Sequence, residues 1–272
     1  MAKTALWILA VVVTLASAAW QRLSGPTHPA RGEVAVGGES IRYKIPRTGV
    51  TGREIEVAIA APEGVAGTVV WRRFPTSDPW EEIAMSRAGD RLTARLPTQP
   101  AAGKIEYRVR LESNGSEATL PPEPAVARYR GEVPAYVLIP HIFAMFFGML
   151  FSNAAGLFAV TGAGGGGGAA RQGRWALGLM AVGGLLLGPL VQKFAFDAWW
   201  TGFPFGTDLT DNKTAIALLA WIVALWAARG GRRARAAIVA AALVTLVVFA
   251  IPHSLFGSQL RWEETPAATS GS

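Results

Sequence analysis

Four apolar segments occupy most of the second half of the chain, and each is close to the length needed to cross a membrane. A helix rises 1.5 Å per residue, so about 20 residues span the roughly 30 Å hydrocarbon core of a bilayer. Backbone polar groups in lipid must pair within their own segment, which favours helices. A bundle of four transmembrane helices is therefore predicted over residues 134–256, with apolar segments at 135–160, 175–193, 214–229 and 236–256.

The positive charge of the chain is concentrated between these segments. Hydrophobic residues form 51% of the sequence and charged residues 17%, a balance typical of membrane proteins, and the net charge is +7. Loops 161–174 and 229–235 contain arginines and no acidic residue, so the positive-inside rule predicts both in the cytoplasm. Because membrane insertion accounts for this charge, no nucleic-acid partner is expected. The arginines are Arg171, Arg174, Arg229, Arg232, Arg233 and Arg235.

Residues 1–20 form a leader in which Lys3 precedes a long apolar stretch. The small residues Ala16, Ser17 and Ala18 fit the cleavage site of a signal peptide. Trp20 fits the interface position of an uncleaved N-terminal membrane anchor. Both interpretations deliver the next segment to the outside of the cytoplasm.

Residues 29–130 alternate apolar and polar side chains with a period of two. The stretches SIRYKI, GTVVWRRF and KIEYRVRL follow this pattern, which is typical of half-buried strands. Turn signals such as Asn114-Gly115 separate seven to nine short strands, as in an immunoglobulin-like or fibronectin-III-like β-sandwich. Trp71 alternates with Val69 and is predicted to face the core of this domain. We expect the domain to bind a partner or to act as a spacer.

Together, these segments predict a protein of the bacterial cytoplasmic (inner) membrane. With both arginine loops inside, the β-domain, the loop at 194–213 and the C-terminal tail at 257–272 are predicted to be extracytoplasmic. The tail is expected to be flexible because it lacks apolar periodicity. The predicted partners are the lipid bilayer and another membrane or periplasmic protein.

Two of the three histidines lie in the predicted bundle, each directly after a proline. His141 lies near the start of the first bundle helix and His253 near the end of the fourth, so both are predicted at a similar shallow depth on the outer side. Such a pair could ligate a b-type haem. Met145 and Met149 follow on one face of the His141 helix, and thioethers with imidazole favour copper(I). The third interpretation is that the histidines form hydrogen bonds and the methionines fill the core.

The loop between the second and third bundle helices is rich in aromatic residues. Its glycines and proline demand tight turns that would hold the loop against the bundle. The aromatic side chains are predicted to form a belt at the membrane interface. These residues are Gly202, Pro204 and Gly206 for the turns, and Trp199, Trp200, Phe203 and Phe205 for the belt.

Ionisable residues of the same loop are predicted to surround one outward-facing mouth of the bundle, near both histidines. Asp208, Thr210 or Asp211 can cap the third bundle helix, whose first turn favours negative charge. Oxygens of Asp208, Asp211 and Asn212 could instead bind a hard cation, although the spacing matches no calcium loop. Lys193 and Lys213 are expected to pair with Asp197 and Asp211 at the membrane interface. The predicted cluster comprises Gln192, Lys193, Asp208, Asp211 and Lys213.

The stretches YKIPRTG, QRLSGPTHPARG, LPTQPAAGKIEYRV and FGTDLTDNKTA resemble a group of bacterial membrane proteins with no assigned activity. The resemblance implies a leader, one β-domain and a small helical bundle, and it implies no catalytic role for any residue. The order of the domains is also similar to that of periplasmic copper-resistance fusions. The β-domain here has no histidine and has Met85 as its one methionine, which departs from a copper-binding pattern.

The sequence favours a non-catalytic scaffold or partner-binding subunit of a membrane complex over an enzyme. The alternatives are a redox protein with a b-type haem held by His141 and His253, and a protein that handles copper or another metal, or transports a substrate. The chain has no cysteine, which excludes disulfides, thiolate metal sites and covalently attached c-type haem.

Overall fold

The computed structural model describes residues 3–163, 165–230, 234–252, 260 and 262. The chain forms two compact units, and each combines segments that are distant in sequence. The helical unit comprises Met1–Pro26 and Val133–Ser258, and the β unit comprises Thr27–Glu132 and Gln259–Ser272.

The described part of the β unit contains ten strands in three sheets. One sheet pairs β1 with β2, the second has the order β3-β10-β9-β5-β6, and the third has the order β4-β8-β7. All pairings are antiparallel except that of β3 with β10. The strands are β1 Ala30–Val36, β2 Glu39–Ile45, β3 Thr48–Val50, β4 Ile55–Ala60, β5 Ala66–Phe74, β6 Glu81–Ala84, β7 Ser86–Ala88, β8 Arg91–Leu96, β9 Lys104–Ser113 and β10 Ser116–Arg130.

Alternation along the strands creates one hydrophobic core that all three sheets share. Strand β4 buries Ile55, Val57 and Ile59 and leaves the residues between them more exposed, as the period of two predicts. Trp71 is 7% exposed and belongs to this core, so its predicted inward position is confirmed. Tyr107 is also in the core, and its hydroxyl donates to Pro46 O at 2.5 Å.

The C-terminal segment joins the β unit through Trp262. The indole Nε1 donates to Phe74 O at 3.0 Å, and the guanidinium carbon of Arg73 lies 5.2 Å from the ring centroid. The predicted flexible tail at 257–272 otherwise lies outside the described residues, apart from Leu260. The Trp262 side chain is held by these contacts, so the prediction of a flexible tail is wrong at this residue.

The helical unit contains α1 Lys3–Leu23, α2 Ala135–Thr161, α3 Gly165–Met180, α4 Gly188–Phe196, α5 Leu209–Ala227 and α6 Ala234–Ala250. A π-helical segment, Ala181–Leu187, joins α3 to α4, and a short 3₁₀ turn, Ala228–Gly230, follows α5. Helix α3 begins inside the glycine run, so Arg171 and Arg174 lie on a helix and not in the loop predicted at 161–174.

Three helices of the described chain are long and apolar enough to cross a membrane, which indicates membrane association. They are Lys3–Leu23, Ala135–Thr161 and the continuous helix Gly167–Phe196, while Ala234–Ala250 is a shorter apolar helix. Large apolar side chains are exposed along these helices, including Ile8, Phe143 and Leu186. Surface of this kind suits contact with lipid.

The helices of this unit pack through small residues and a few buried hydrogen bonds. Trp221 on α5 is fully buried, and its indole donates to Thr245 Oγ1 on α6 at 3.0 Å. It fits because α3 has Gly173 beside it, where a methyl group would lie 2.5 Å from the indole ring. Helix α1 joins the unit through Asn153 on α2, whose amide donates to the buried Thr14 Oγ1 at 2.9 Å.

Candidate functional site

A network of polar side chains lies where α4 ends and α5 begins. Asp211, in the first turn of α5, accepts hydrogen bonds on Oδ2 from the backbone N–H groups of Thr201 at 2.7 Å and Gly202 at 3.1 Å. The Thr201 hydroxyl lies 3.3 Å from the same oxygen and accepts from Gln192 Nε2 at 2.5 Å. We call Gln192, Thr201, Asp208, Asp211 and Asn212 the helix-end cluster. It ties the loop to both helices.

The loop held by this cluster presents two phenyl rings. Phe203 N donates to Asn212 Oδ1 at 2.8 Å, and the N–H groups of Phe205 and Gly206 both donate to Gly202 O, at 2.9 and 3.0 Å. A side chain on Gly202 would meet Asp211 Cβ at 2.6 Å, so the close approach requires glycine. The rings of Phe203 and Phe205 are nevertheless 80% and 82% exposed. A hydrogen-bonded loop backbone therefore carries two exposed phenyl rings, which we call the aromatic tip.

Asp208 acts as the N-cap of α5, as its position before the apolar run predicts. Its side chain accepts from Thr210 N at 2.7 Å, which satisfies a backbone donor that has no partner within the helix. A carboxylate at this end of a helix is also favoured by the helix dipole. The capping interpretation accounts for Asp208 without a bound cation.

The two lysines of the predicted cluster lie in different environments. Lys213 is 1% exposed, and its ammonium donates to Ile251 O, just beyond the end of α6, at 2.7 Å. Gln21 at the end of α1 donates to Phe249 O at 2.6 Å. Both side chains satisfy carbonyls at the C-terminal end of α6, so Lys213 does not form the predicted pair with Asp211. Lys193 pairs with Asp197 at 2.5 Å on the surface, as predicted.

His141 lies on α2 beside the π-helical segment. Its Nδ1 is 2.9 Å from Gly183 O, and because a carbonyl only accepts, Nδ1 carries the proton of this hydrogen bond. The other ring nitrogen, Nε2, is then the one that can accept a hydrogen bond or a metal. Histidine ligands of metals commonly show this arrangement, in which the second nitrogen donates to a carbonyl.

Met145 packs against the same segment. A methyl group built on Gly183 would lie 2.9 Å from Met145 Sδ, so the thioether and the imidazole share one stretch of the π-helix. Met145 and Met149 both pack against the hydrophobic core that includes Trp221. His253 lies outside the described residues. Within the described ranges, no three side chains from His, Cys, Asp and Glu form a metal-binding group.

The sequence indicates Gln192, Asp208, Asp211 and Asn212 as members of the site and does not indicate Thr201 or Gln21. Asn212, considered there as a cation ligand, accepts from Phe203 N. Thr201 donates to Asp211, and Gln21 contacts the end of α6. The glycines around Phe203 and Phe205 indicate a tight turn. No local pattern reveals the side chains to which that turn binds, because the partners lie up to ten residues away.

No family model matches the chain, and no match to it was found among curated proteins. Among solved structures, a crystal structure described as a Br derivative of BhCBM56 aligns with 32% of this chain and 90% of that chain. The sequence identity is 16% and the TM-score is 0.27. A likeness at this level carries no inference about the fold or the function of the protein.

Proposed function

We propose that the protein is a non-catalytic scaffold of the bacterial inner membrane that docks another membrane or periplasmic protein. In this proposal, α2, the continuous helix Gly167–Phe196, α5 and α6 cross the membrane, and α1 is retained as a fifth helix. The β unit is an extracytoplasmic, immunoglobulin-like β-sandwich. The proposal also includes the resemblance of this sequence to a group of bacterial membrane proteins that have the same order of domains.

The aromatic tip is the observation that carries the proposal. The buried Asp211 receives three hydrogen bonds from the loop, and Asp208 caps a helix, so both carboxylates have structural partners. The tip of the loop offers its two phenyl rings, which are its most exposed side chains of large apolar residues, to another molecule. A lipid interface is fluid and needs no fixed tip, whereas a protein pocket gains affinity from a tip that is ordered before binding. Aromatic anchors of this kind often dominate the energy of protein interfaces.

Site-specific photocrosslinking in native membranes tests this docking role. A photoreactive residue at Phe203 or Phe205 is expected to give a discrete protein adduct. The control position is Trp226, which is 72% exposed on α5 and is expected to give lipid adducts. Lipid adducts alone at all three positions would show that the loop is an interfacial anchor and would contradict protein docking.

A b-type haem site is the second candidate, and the geometry of His141 favours it. Its Nδ1 is occupied by Gly183 O, which leaves Nε2 as the ligating nitrogen. His253 would be the second axial ligand, and Met145 would lie on the same helix as His141. The test is an optical spectrum of detergent-purified protein with metal analysis of the same sample.

A reduced-minus-oxidised haem signal that disappears in His141→Ala and in His253→Ala would support the redox function. Copper without haem would favour the metal-handling alternative. A colourless, metal-free preparation from cells supplied with iron and copper would contradict both.

A further inference from the structure

Positive charge is concentrated at the edge of the β unit from which the chain enters α2. Arg128 in β10 lies opposite Lys104 in β9 and Thr48 in β3. Its backbone N–H donates to Arg47 O at 3.2 Å. Arg130 is two residues further along β10 and lies on the same side of the strand as Arg128. We call Arg47, Lys104, Arg128 and Arg130 the basic edge.

Three of the four residues of the basic edge have no acidic partner among the described residues. In the described part of the chain, no ion pair within 4.0 Å involves Arg47, Lys104 or Arg130. Two acidic residues near this edge in sequence have other partners. Glu106 lies 2.5 Å from Arg72, and Glu132 lies 2.6 Å from Arg53.

Burial and the nearby charge of Arg128 lower the pKa of Lys104, and burial lowers the pKa of Arg47. Both shifts mean that the charged forms lie in unfavourable surroundings. A bound anion would compensate them.

The chain links this edge closely to the membrane. Arg130 is the last residue of β10, and α2 begins at Ala135. Five residues of extended chain cover at most about 18 Å. Helix α2 is one of the three helices that can cross a bilayer, so the basic edge is tethered within reach of the headgroup layer. The phosphodiester of an anionic lipid matches arginine and lysine donors in both charge and hydrogen-bonding geometry.

We propose that the basic edge binds the anionic headgroups of phospholipids. This inference rests on the proposed membrane insertion of α2 and adds a ligand that the scaffold proposal does not require. Each basic residue near an anionic surface contributes about 1 kcal/mol, which corresponds to roughly a fivefold change in affinity. Removing two charges is therefore expected to weaken binding on the order of 25-fold.

The test is native mass spectrometry of the full-length protein in a neutral detergent, titrated with phosphatidylglycerol or phosphatidylcholine. The variant Lys104→Gln/Arg130→Gln is compared with Arg31→Gln/Arg91→Gln. The control pair removes the same charge from exposed positions on β1 and β8. The expected result is weaker binding of phosphatidylglycerol by the first variant alone, with binding of phosphatidylcholine unchanged.

Unchanged phosphatidylglycerol binding in the first variant, or equal weakening in the control, would overturn the proposal. Inorganic phosphate that competes for the edge as strongly as phosphatidylglycerol would overturn the assignment to a lipid. Extraction of the protein from membranes by alkaline carbonate would instead contradict the membrane insertion of α2. That result is separate from the lipid titration, so the two failures can be distinguished.

Discussion

Asp211 and Asp197 are both close to the loop that joins α4 to α5, yet their environments differ greatly. Asp211 is 7% exposed and receives three hydrogen bonds, two of them from backbone N–H groups. The side chain of Asp197 is 79% exposed and pairs with Lys193. A carboxylate that satisfies buried donors stabilises far more than an exposed ion pair does.

Replacing each aspartate by asparagine separates the two contributions. Asp211→Asn is expected to lower the free energy of unfolding by about 1–3 kcal/mol, because buried donors lose a charged acceptor. Asp197→Asn is expected to change it by less than about 1 kcal/mol. Thermal unfolding in detergent, combined with limited proteolysis of the loop, measures both. Equal stability of the two variants would show that Asp211 does not hold the loop.

Two core tyrosines make the β unit sensitive to alkaline pH. Burial raises the pKa of Tyr107 and of Tyr129 well above the ordinary value of 10.0. Because the folded pKa is the higher one, their contribution to stability is complete below about pH 10 and is lost as the pH rises. The β unit is therefore expected to unfold at strongly alkaline pH, with phenolate absorbance appearing as near-ultraviolet circular dichroism disappears.

The variant Tyr107→Phe/Tyr129→Phe serves as the control for this titration. It loses the hydrogen bonds to Pro46 O and Pro97 O, and it is expected to show a weaker dependence of stability on alkaline pH. Phenolate formation by both tyrosines near pH 10 in a folded protein would contradict their burial.

At the scale of secondary structure, glycines determine how closely the helices approach one another. Gly173 and Gly178 lie on the same helix, α3, but only Gly173 has a close neighbour. A side chain there would press on Trp221, whereas Gly178 has open space. The same amino acid therefore serves packing at one position and has no packing role at the other.

Alanine at these two positions should have opposite effects. Gly173→Ala is expected to destabilise the helical unit by about 1–3 kcal/mol, because the buried indole must shift. Gly178→Ala is expected to stabilise it by up to about 1 kcal/mol through helix propensity. Trp fluorescence during thermal unfolding in detergent reports both changes. A neutral Gly173→Ala would mean that α3 and α5 pack less closely than the structure describes.

Features predicted from sequence depend on short-range patterns, and those missed depend on contacts between elements. The strands around Trp71 and the cap at Asp208 follow from alternation and local hydrogen bonding. The π-helical segment beside His141 and the bond from Lys213 to Ile251 join helices that are distant in sequence. The start of α3 within a glycine run was not predicted, because glycine disfavours isolated helices and packing can override that preference.

For the whole molecule, the number of membrane crossings determines which surfaces share a compartment. The β unit connects to the end of α1 and to the start of α2, and Trp262 returns to it after α6. The proposed topology requires an even number of crossings between Glu132 and Trp262. The continuous helix Gly167–Phe196 counts as one crossing in that proposal, and α2, α5 and α6 are the other three.

A reporter of compartment placed after Ser272 tests this topology. It is expected to be extracytoplasmic, and a reporter that replaces the chain after Arg174 is expected to be cytoplasmic, in agreement with the arginine clusters. A cytoplasmic reporter at Ser272 would contradict the number of crossings. The same result would remove the basis for placing His141 and His253 on one side of the membrane.

The contact of Trp262 with Phe74 has a consequence for the order in which the molecule is made. Synthesis proceeds from the N-terminus, and domains generally fold as units in that order. The β strands from Ala30 to Arg130 therefore leave the ribosome well before α6 and Trp262 exist. The indole can occupy its position only after α6 has been produced, so this contact forms later in synthesis than the pairing of the strands around it.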